Sequence, residues 1–475
     1  MAHILKILNY NNSRIMKRRQ FIKISSLGTF SSIALKGSSQ GTLSFTSLKN
    51  FVYDPPKNIP IKQSCDVIVC GSGPAGVTAA IAAAREGAKT LLIETHGCLG
   101  GMWTSGLLGW MLDFHNKKGI LKEIIDLLIE RKATTSIPVK NAFPFNIEEM
   151  KLLLEELCIK SNVNIRLHTR VVGAKKNKSG RITHVITESK SGREAWEGKI
   201  FIDATGDGDL SALSGCGYDL GDPKHDNGTQ PGTLLAIISG IDFDQVKDYI
   251  RWEGDIKQRS KRNLSNLLHN LGYDLSYKSP SIHPLNDSLY MLMANHEYGY
   301  DWLNSDDVTQ ATLHARKEVY EVIKTLRLAG KNWENIKLIA TAEHIGVRES
   351  RRICGLYSVS VNDIINGVQH EDAVCTVNFG VDVHSINKEH EQNGYNHKPI
   401  RCLPYDIPLR ALIAKDVDAL MIAGRCISGD FLSHASYRVV GNASAMGEAA
   451  GKVAANAALN NTLPQYIDYN KLKMK

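Results

Sequence analysis

Cys65-Asp66-Val67-Ile68-Val69-Cys70-Gly71-Ser72-Gly73-Pro74-Ala75-Gly76-Val77 decides how the rest of this chain is read. Its first six residues form a short apolar run rich in β-branched side chains, the pattern of a strand buried on both faces of a parallel sheet. The run ends in a complete G-x-G-x-x-G, and Val77 to Arg85 continues as an Ala-rich helix. Gly71 allows the tight turn, Gly73 lets main chain approach a diphosphate, and Gly76 brings helix and strand close together. Pro74 and Ala75 open the helix, where unpaired N–H groups attract phosphate. Gly87-Ala88-Lys89 closes the helix, and a second strand runs from Thr90 to Ile93. Glu94 follows, 18 positions after Gly76, where a carboxylate accepts from a ribose 2′-hydroxyl and repels a 2′-phosphate.

The fingerprint fits FAD and NAD equally, and three later segments favour FAD. His96-Gly97-Cys98-Leu99-Gly100-Gly101-Met102-Trp103-Thr104 supplies a second glycine-rich turn, able to follow an extended cofactor past its adenosine half. Strand-like runs from Asn164 to Val172 and from Ile182 to Glu188 flank Lys178-Ser179-Gly180, which reads as an inserted β-hairpin, with Val171 facing the cofactor. A strand from Lys199 to Ile202 then leads into Asp203-Ala204-Thr205-Gly206-Asp207-Gly208-Asp209, a loop suited to close passage of a dinucleotide. Near the end, Ala419 to Ile422 reads as a last strand, Gly424-Arg425-Cys426-Ile427-Ser428-Gly429-Asp430 as a polar loop, and Ala443 to Leu459 as a small-residue helix aimed at the flavin.

Taken together these segments resemble the FAD-dependent oxidoreductase family of the glutathione-reductase-type flavoprotein superfamily. The matching residues are Gly71 to Gly76, Glu94, Gly100-Gly101, Asp203 to Gly208, Gly346 to Arg352, Gly424-Arg425, Arg438 and Gly447-Glu448-Ala449-Ala450-Gly451. The resemblance implies diphosphate binding at Gly71, Gly73 and Gly76, ribose binding at Glu94, and flavin-side contacts around Gly101, Asp430 and Gly447. Gly100, Met102, Val171, Ala204, Thr205, Gly206, Asp207, Gly424 and Arg425 complete the expected cofactor set. The chain departs from the family at Glu448, where Gln is frequent. A redox disulfide needs two cysteines just after the second strand, and only Cys98 is there. Nor does a second complete G-x-G-x-x-G precede another helix, so electrons are expected from the substrate or from a separate partner.

The expected architecture is α/β. A discontinuous Rossmann-like FAD-binding domain with an inserted β-hairpin (63–216 and 405–465) joins a mixed α+β cap or substrate domain (217–404). Inside the cap, Asp244 to Leu271 and Ser305 to Ala329 read as helical, with Asp306-Asp307 an acidic start and Gly330 a stop for the second. Cys375 to Val383 reads as a strand. Residues 1–36 resemble a twin-arginine export signal, with Lys17-Arg18-Arg19-Gln20-Phe21-Ile22-Lys23 before an apolar stretch from Ile24 to Leu35, and 37–62 form a linker. This points to an exported or periplasmic protein; a basic tail on a cytoplasmic protein is the alternative, and Met16 is an alternative start.

The net charge of +8 is scattered among acidic residues rather than gathered in a stripe, which argues against a nucleic-acid surface. The nine cysteines show no C-x-x-C pair and no His/Cys cluster at zinc spacing, so neither metal nor disulfides are expected. No run of about 18 apolar residues is long enough to span a membrane.

Two segments carry candidate chemistry. In Glu343-His344-Ile345-Gly346-Val347-Arg348-Glu349-Ser350-Arg351-Arg352, Arg348 suits an anionic substrate or a reduced flavin, and His344 suits proton transfer; a structural ion-pair knot is the alternative. In Asp430-Phe431-Leu432-Ser433-His434-Ala435-Ser436-Tyr437-Arg438, His434 or Tyr437 is a candidate proton carrier and Arg438 an anion clamp, unless each only orders the loop. Trp103 and Trp110 suit either pocket or core. The expected activity is hydride transfer between noncovalent FAD and a small organic substrate, by oxidation of a hydroxyl-bearing carbon on a sugar-like or hydroxy-acid compound. Reduction of an activated double bond by a partner-fed flavin, or a noncatalytic electron-transfer component, are the alternatives.

Overall fold

The computed structural model describes residues 58–226, 228–387 and 400–469. The twin-arginine segment and most of the linker therefore lie outside the described residues. Strand β1 (Ile61–Cys70) is exposed at its start and buried from Cys65 onward. It begins before Cys65 because Ile61 already pairs with Ala195. β1 runs parallel to β2 (Thr90–Ile93), with Val67 opposite Thr90, and β3 (Asn164–Arg166) extends the parallel sheet beyond β2. The near-continuous apolar character of β2 and of β1 after Cys65 follows from their being covered on both faces, whereas β3 (Asn164-Ile165-Arg166) lies at the half-exposed edge.

Two expected strands have different bounds. The run from Asn164 to Val172 breaks at residues 167–169, where His168 turns left-handed (φ 51°), and separates β3 from β4 (Arg170–Lys176). The strand expected at Lys199–Ile202 is the end of the 12-residue β6 (Gly192–Asp203). β5 (Ile182–Ser189) pairs antiparallel with β4 and with the first half of β6, so the inserted hairpin is real. β6 also pairs parallel with β1, and β7 (Leu420–Ile422) joins its last three residues. One long strand thus belongs to the hairpin and to the nucleotide sheet at once.

Helix α1 (Pro74–Arg85) lies on this sheet, and the C-terminal helix packs on α1 through small residues. An ideal Cβ on Gly447 would stand 2.0 Å from the Ala75 carbonyl oxygen, and one on Gly451 2.2 Å from that of Ala79. Thr78 Oγ1 donates to the Ser444 carbonyl across the same contact at 2.8 Å.

The cap contains a four-stranded antiparallel sheet in the order Ser281–Pro284, Tyr290–Met293, Ala236–Ser239 and Lys337–Thr341. Helix α2 (Ser305–Leu328) buries Val319, Val322, Ile323 and Leu326 with Ala236, Ile238 and Leu292 of that sheet. Its start follows the sequence: Asn304 accepts from the N–H groups of Asp306 and Asp307, whose carboxylates suit the positive end of the helix. Gly330 (φ 69°) follows its end. The helical run expected over Asp244–Leu271 is instead broken into Phe243–Val246 and Arg259–Asn270, with Lys257 and Gln258 left-handed before the second piece. The expected Cys375–Val383 strand spans Ala373–Val377 and pairs with Tyr405–Pro408. That ladder joins residues on either side of 404/405; from Asn58 onward the chain forms one compact unit, within which the cap keeps a second core cluster of its own around Ala236, Leu292 and Val319. Three more segments complete the C-terminal part: a 3-10 turn at Gly424–Cys426, helix α3 (Phe431–Tyr437) and helix α4 (Val440–Leu459), the last starting before the expected Ala443.

Candidate active site

A single cavity of about 1260 Å³ runs from the carboxyl ends of the nucleotide strands to the cap sheet. At its first end the wall is mostly main chain: Gly71 to Ala75, Glu94, Gly101-Met102, Val171, Ala204 to Asp207, and Gly424-Arg425. Gly71 is left-handed (φ 91°), and a Cβ there would meet the Ala204 carbonyl oxygen at 2.4 Å. Gly73 is the N-cap of α1, with no side-chain cap, and Pro74 follows at the first turn. The helix start therefore presents N–H groups without a protein acceptor, the usual anchor for phosphate. An ideal Cβ on Gly73 meets nothing within 4 Å, so that position borders open cavity.

Glu94 is buried and ties the first loop to the second: Oε2 accepts from Ser72 N at 2.7 Å and Ser72 Oγ at 2.6 Å, and Oε1 from His96 N at 2.8 Å. Asp203 performs a similar task below the Ala204–Asp207 loop, accepting from Thr205 and Ser211. Arg425 pairs with Asp207 at 2.7 Å, and its Nη1 finds no partner among the described residues.

Several expected cofactor contacts lie elsewhere. Gly76 and Gly447 are packing positions, since a Cβ on Gly76 would overlap the Gly71 carbonyl oxygen at 1.8 Å and Gly447 abuts Ala75. Gly100, left-handed at φ 105°, packs against Thr104 and donates its N–H to the Ser72 carbonyl, setting up its neighbour Gly101. Asp430 caps α3 by accepting from Ser433 N and holds Val361 N with its other oxygen, both at 2.7 Å, outside the cavity wall.

The second end is built from side chains. Arg348 and Arg438 line it as expected, joined by Arg251, Lys261, Asp382 and His384, which sequence reading did not find. Arg348 Nη1 donates to the Pro231 carbonyl and to Thr233 Oγ1, each at 2.7 Å. Arg438 Nη2 donates to the Asp382 carbonyl and lies 3.6 Å from its carboxylate. His384 Nε2 is 3.3 Å from Asp382 Oδ2, and its backbone N–H is held by Gln230 Oε1. Burial first, then the neighbouring Arg438, brings Arg348 down to about 10. Burial and then Arg348 hold His384 down at about 4, against the pull of Asp382.

The two candidate segments divide. Within 343–352, Arg352 forms a buried ion pair with Glu349, and Arg351 pairs with Asp209 at 2.9 Å, so the structural knot exists. Arg348 is left out of it and turns to the cavity. His344 also lines the cavity, but beside the cofactor end, stacked on His96 at 4.7 Å. Burial, reinforced by His96, lowers it to about 4. His434 is corrected: it is fully buried, its Nε2 faces the Arg425 carbonyl at 3.1 Å, and burial keeps it neutral far below the usual imidazole range. Tyr437 is likewise a core residue, donating to the Ile427 carbonyl. Trp110 lines the cavity against His283, whereas Trp103 belongs to the core.

Residues 66–475 match the family described as FAD dependent oxidoreductase. The chain belongs to that family. A leghemoglobin reductase of Vigna unguiculata is 38% identical over 78 residues, 16% of this chain and 14% of that protein, so the match spans about one seventh of that relative's length. Among solved structures, a geranylgeranyl bacteriochlorophyll reductase-like protein of Thermoplasma acidophilum is 14% identical with a TM-score of 0.47, covering 86% of this chain and 83% of that one. A p-nitrophenol 4-monooxygenase of Pseudomonas putida is 12% identical with a TM-score of 0.42, covering 84% and 80%.

This FAD-dependent oxidoreductase has residues that fit its cofactor. The uncapped helix start beside Gly73 offers donors to a space large enough for an extended dinucleotide, and Arg425 lines the same wall. A further acidic group arises only from the fold: Glu297, His314 and Glu318 offer ligand atoms within 4.8 Å of one another. His314 pairs with Glu297 at 2.9 Å, and Glu318 accepts from Ser276 N.

Proposed function

We propose that this FAD-dependent oxidoreductase oxidises a hydroxyl-bearing carbon of a small organic substrate by hydride transfer to noncovalent FAD. The observation that carries this reading is the continuity of one cavity from the glycine cradle to the polar cap wall. In it Gly71–Ala75 would hold the diphosphate, Glu94 and Val171 would border the adenosine, and Gly101, Met102 and Gly424 would meet the ring side. FAD, when bound, supplies the two-electron chemistry; the protein supplies position and electrostatics. Arg348 and Arg438 orient the substrate, and the buried surroundings exclude water from it. The single-nucleotide layout supports re-oxidation by a separate acceptor, and Arg18-Arg19 supports export of the folded protein.

The test is made on purified holoenzyme. Mass spectrometry of the small molecule released on denaturation is expected to find FAD, and anaerobic addition of hydroxy compounds is expected to bleach its blue-light band. A band untouched by every alcohol, but restored from the photoreduced form by activated alkenes, would reverse the direction. A flavin that no small molecule reduces or re-oxidises would leave a noncatalytic electron carrier.

A further inference from the structure

We propose that the cap end of the cavity is a carboxylate site formed by Lys261 and Arg348 beside a proton acceptor, His384 oriented by Asp382, and that the substrate is therefore a hydroxy acid. This rests on the flavin reading above and deepens it.

Charge is the first ground. Four cations line that end: Arg251 pairs with Asp255, Arg438 lies near the Asp382 carboxylate, and Lys261 and Arg348 stand beside them. Lys261 and Arg348 have no ion pair among the described residues; Arg348 is satisfied by neutral oxygens alone. Burial, then Arg251, lowers the Lys261 ammonium below its ordinary value, against the pull of Asp382 and Asp255. Lys261 and Arg348 are both half-buried and share Asp382 as their nearest common carboxylate, so two cations lean on one anion and a bound carboxylate would add a second. A neighbouring imidazole, His283, is 7% exposed and lines the same wall, and its Nδ1 has no partner among the described residues.

The second ground is the His384–Asp382 pair. The Asp382 carboxylate accepts from Nε2, which places the imidazole proton there and leaves Nδ1 as the basic nitrogen. In the reaction the O–H proton would pass to His384 as the C–H bond breaks and C–O becomes C=O, the C–H electron pair leaving as the hydride that bound FAD would accept. The two electrons leave to an external acceptor. Arg348, Arg438, Asp382, the His296 ring at 4.9 Å and the Tyr277 ring at 6.1 Å face His384. An arriving carboxylate compensates Arg348 and removes part of what depresses His384. The base therefore strengthens on substrate binding, and the acid limb of kcat lies at higher pH than that of kcat/KM.

The experiment uses flavin-loaded protein and two kinds of probe. Oxalate, an inert carboxylate, is titrated while the flavin spectrum is followed; glycolate, lactate and gluconate are compared with their methyl esters in anaerobic bleaching. Lys261→Met is expected to weaken oxalate about 30-fold, the loss of one charge-assisted hydrogen bond. His384→Gln is expected to hold oxalate within about threefold while slowing bleaching roughly 100-fold and erasing the acid limb. Wild-type protein that ignores oxalate, or binds it as well without Lys261, overturns the carboxylate site. Esters that bleach as fast as the acids overturn the hydroxy-acid reading, and a His384→Gln rate equal to wild type overturns the proton acceptor. A preparation that carries no flavin fails the function reading instead, before any probe is added.

Discussion

The two ends of the cavity are made of different material. At the cofactor end, contiguous main chain does the binding, and what matters at each position is whether a Cβ fits: a side chain on Gly71 or Gly76 collides with backbone, while one on Gly73 enters open space. At the cap end, the groups come from residues 251–261, 348, 382–384 and 438, and what matters is charge and its compensation. The first end tolerates almost no change of shape, and its function follows from local geometry. The second is shaped by long-range packing and admits substitution without loss of the fold, so substrate choice can change there while the cofactor stays.

The largest expected effect tests the packing beneath the cradle. Gly447→Val puts a Cβ 2.0 Å from the Ala75 carbonyl oxygen, so α1 and α4 must part. A loss of about 3 kcal/mol or more in unfolding free energy, read as a lower urea midpoint, is expected, with flavin lost alongside. A midpoint equal to wild type would mean that the helices are not in this contact. Gly73→Val is the contrasting case at the other glycine. Its backbone (φ −61°) suits any residue and its Cβ is unobstructed, so stability should hold while FAD affinity drops about 100-fold, near 2.7 kcal/mol. Thermal melting of apoprotein and equilibrium dialysis of FAD separate the two; unchanged affinity would remove the diphosphate from that loop. Asp430→Ala is the smallest. It loses the α3 cap and the Val361 tie, at about 1–2 kcal/mol, with the flavin spectrum unmoved. A displaced visible band would return Asp430 to the ring.

Much of the first end was legible because its signals are local. A β-branched run, a glycine turn and an Ala-rich helix sit side by side in the chain, and Glu94 comes one strand later, so short-range geometry places them all. Even there, Gly76, Gly447 and Asp430 have packing and capping roles that only their neighbours in space reveal. The cap end was half legible: Arg348 and Arg438 were found as cations, while Lys261, Asp382 and His384 carry no pattern in sequence. His434 shows the converse error, a reactive-looking imidazole that the core buries and keeps neutral.

The amino-acid sequence alone determined the nucleotide-binding unit and its order of strand, loop and helix, because backbone conformation is set by residues adjacent in the chain. The tertiary structure alone decided which imidazole meets the cavity, which arginine of 348, 351 and 352 is left without a carboxylate, and that β6 joins the hairpin and the parallel strands into one sheet. Burial and charge pairing depend on groups that approach from hundreds of positions away, and no local pattern records them.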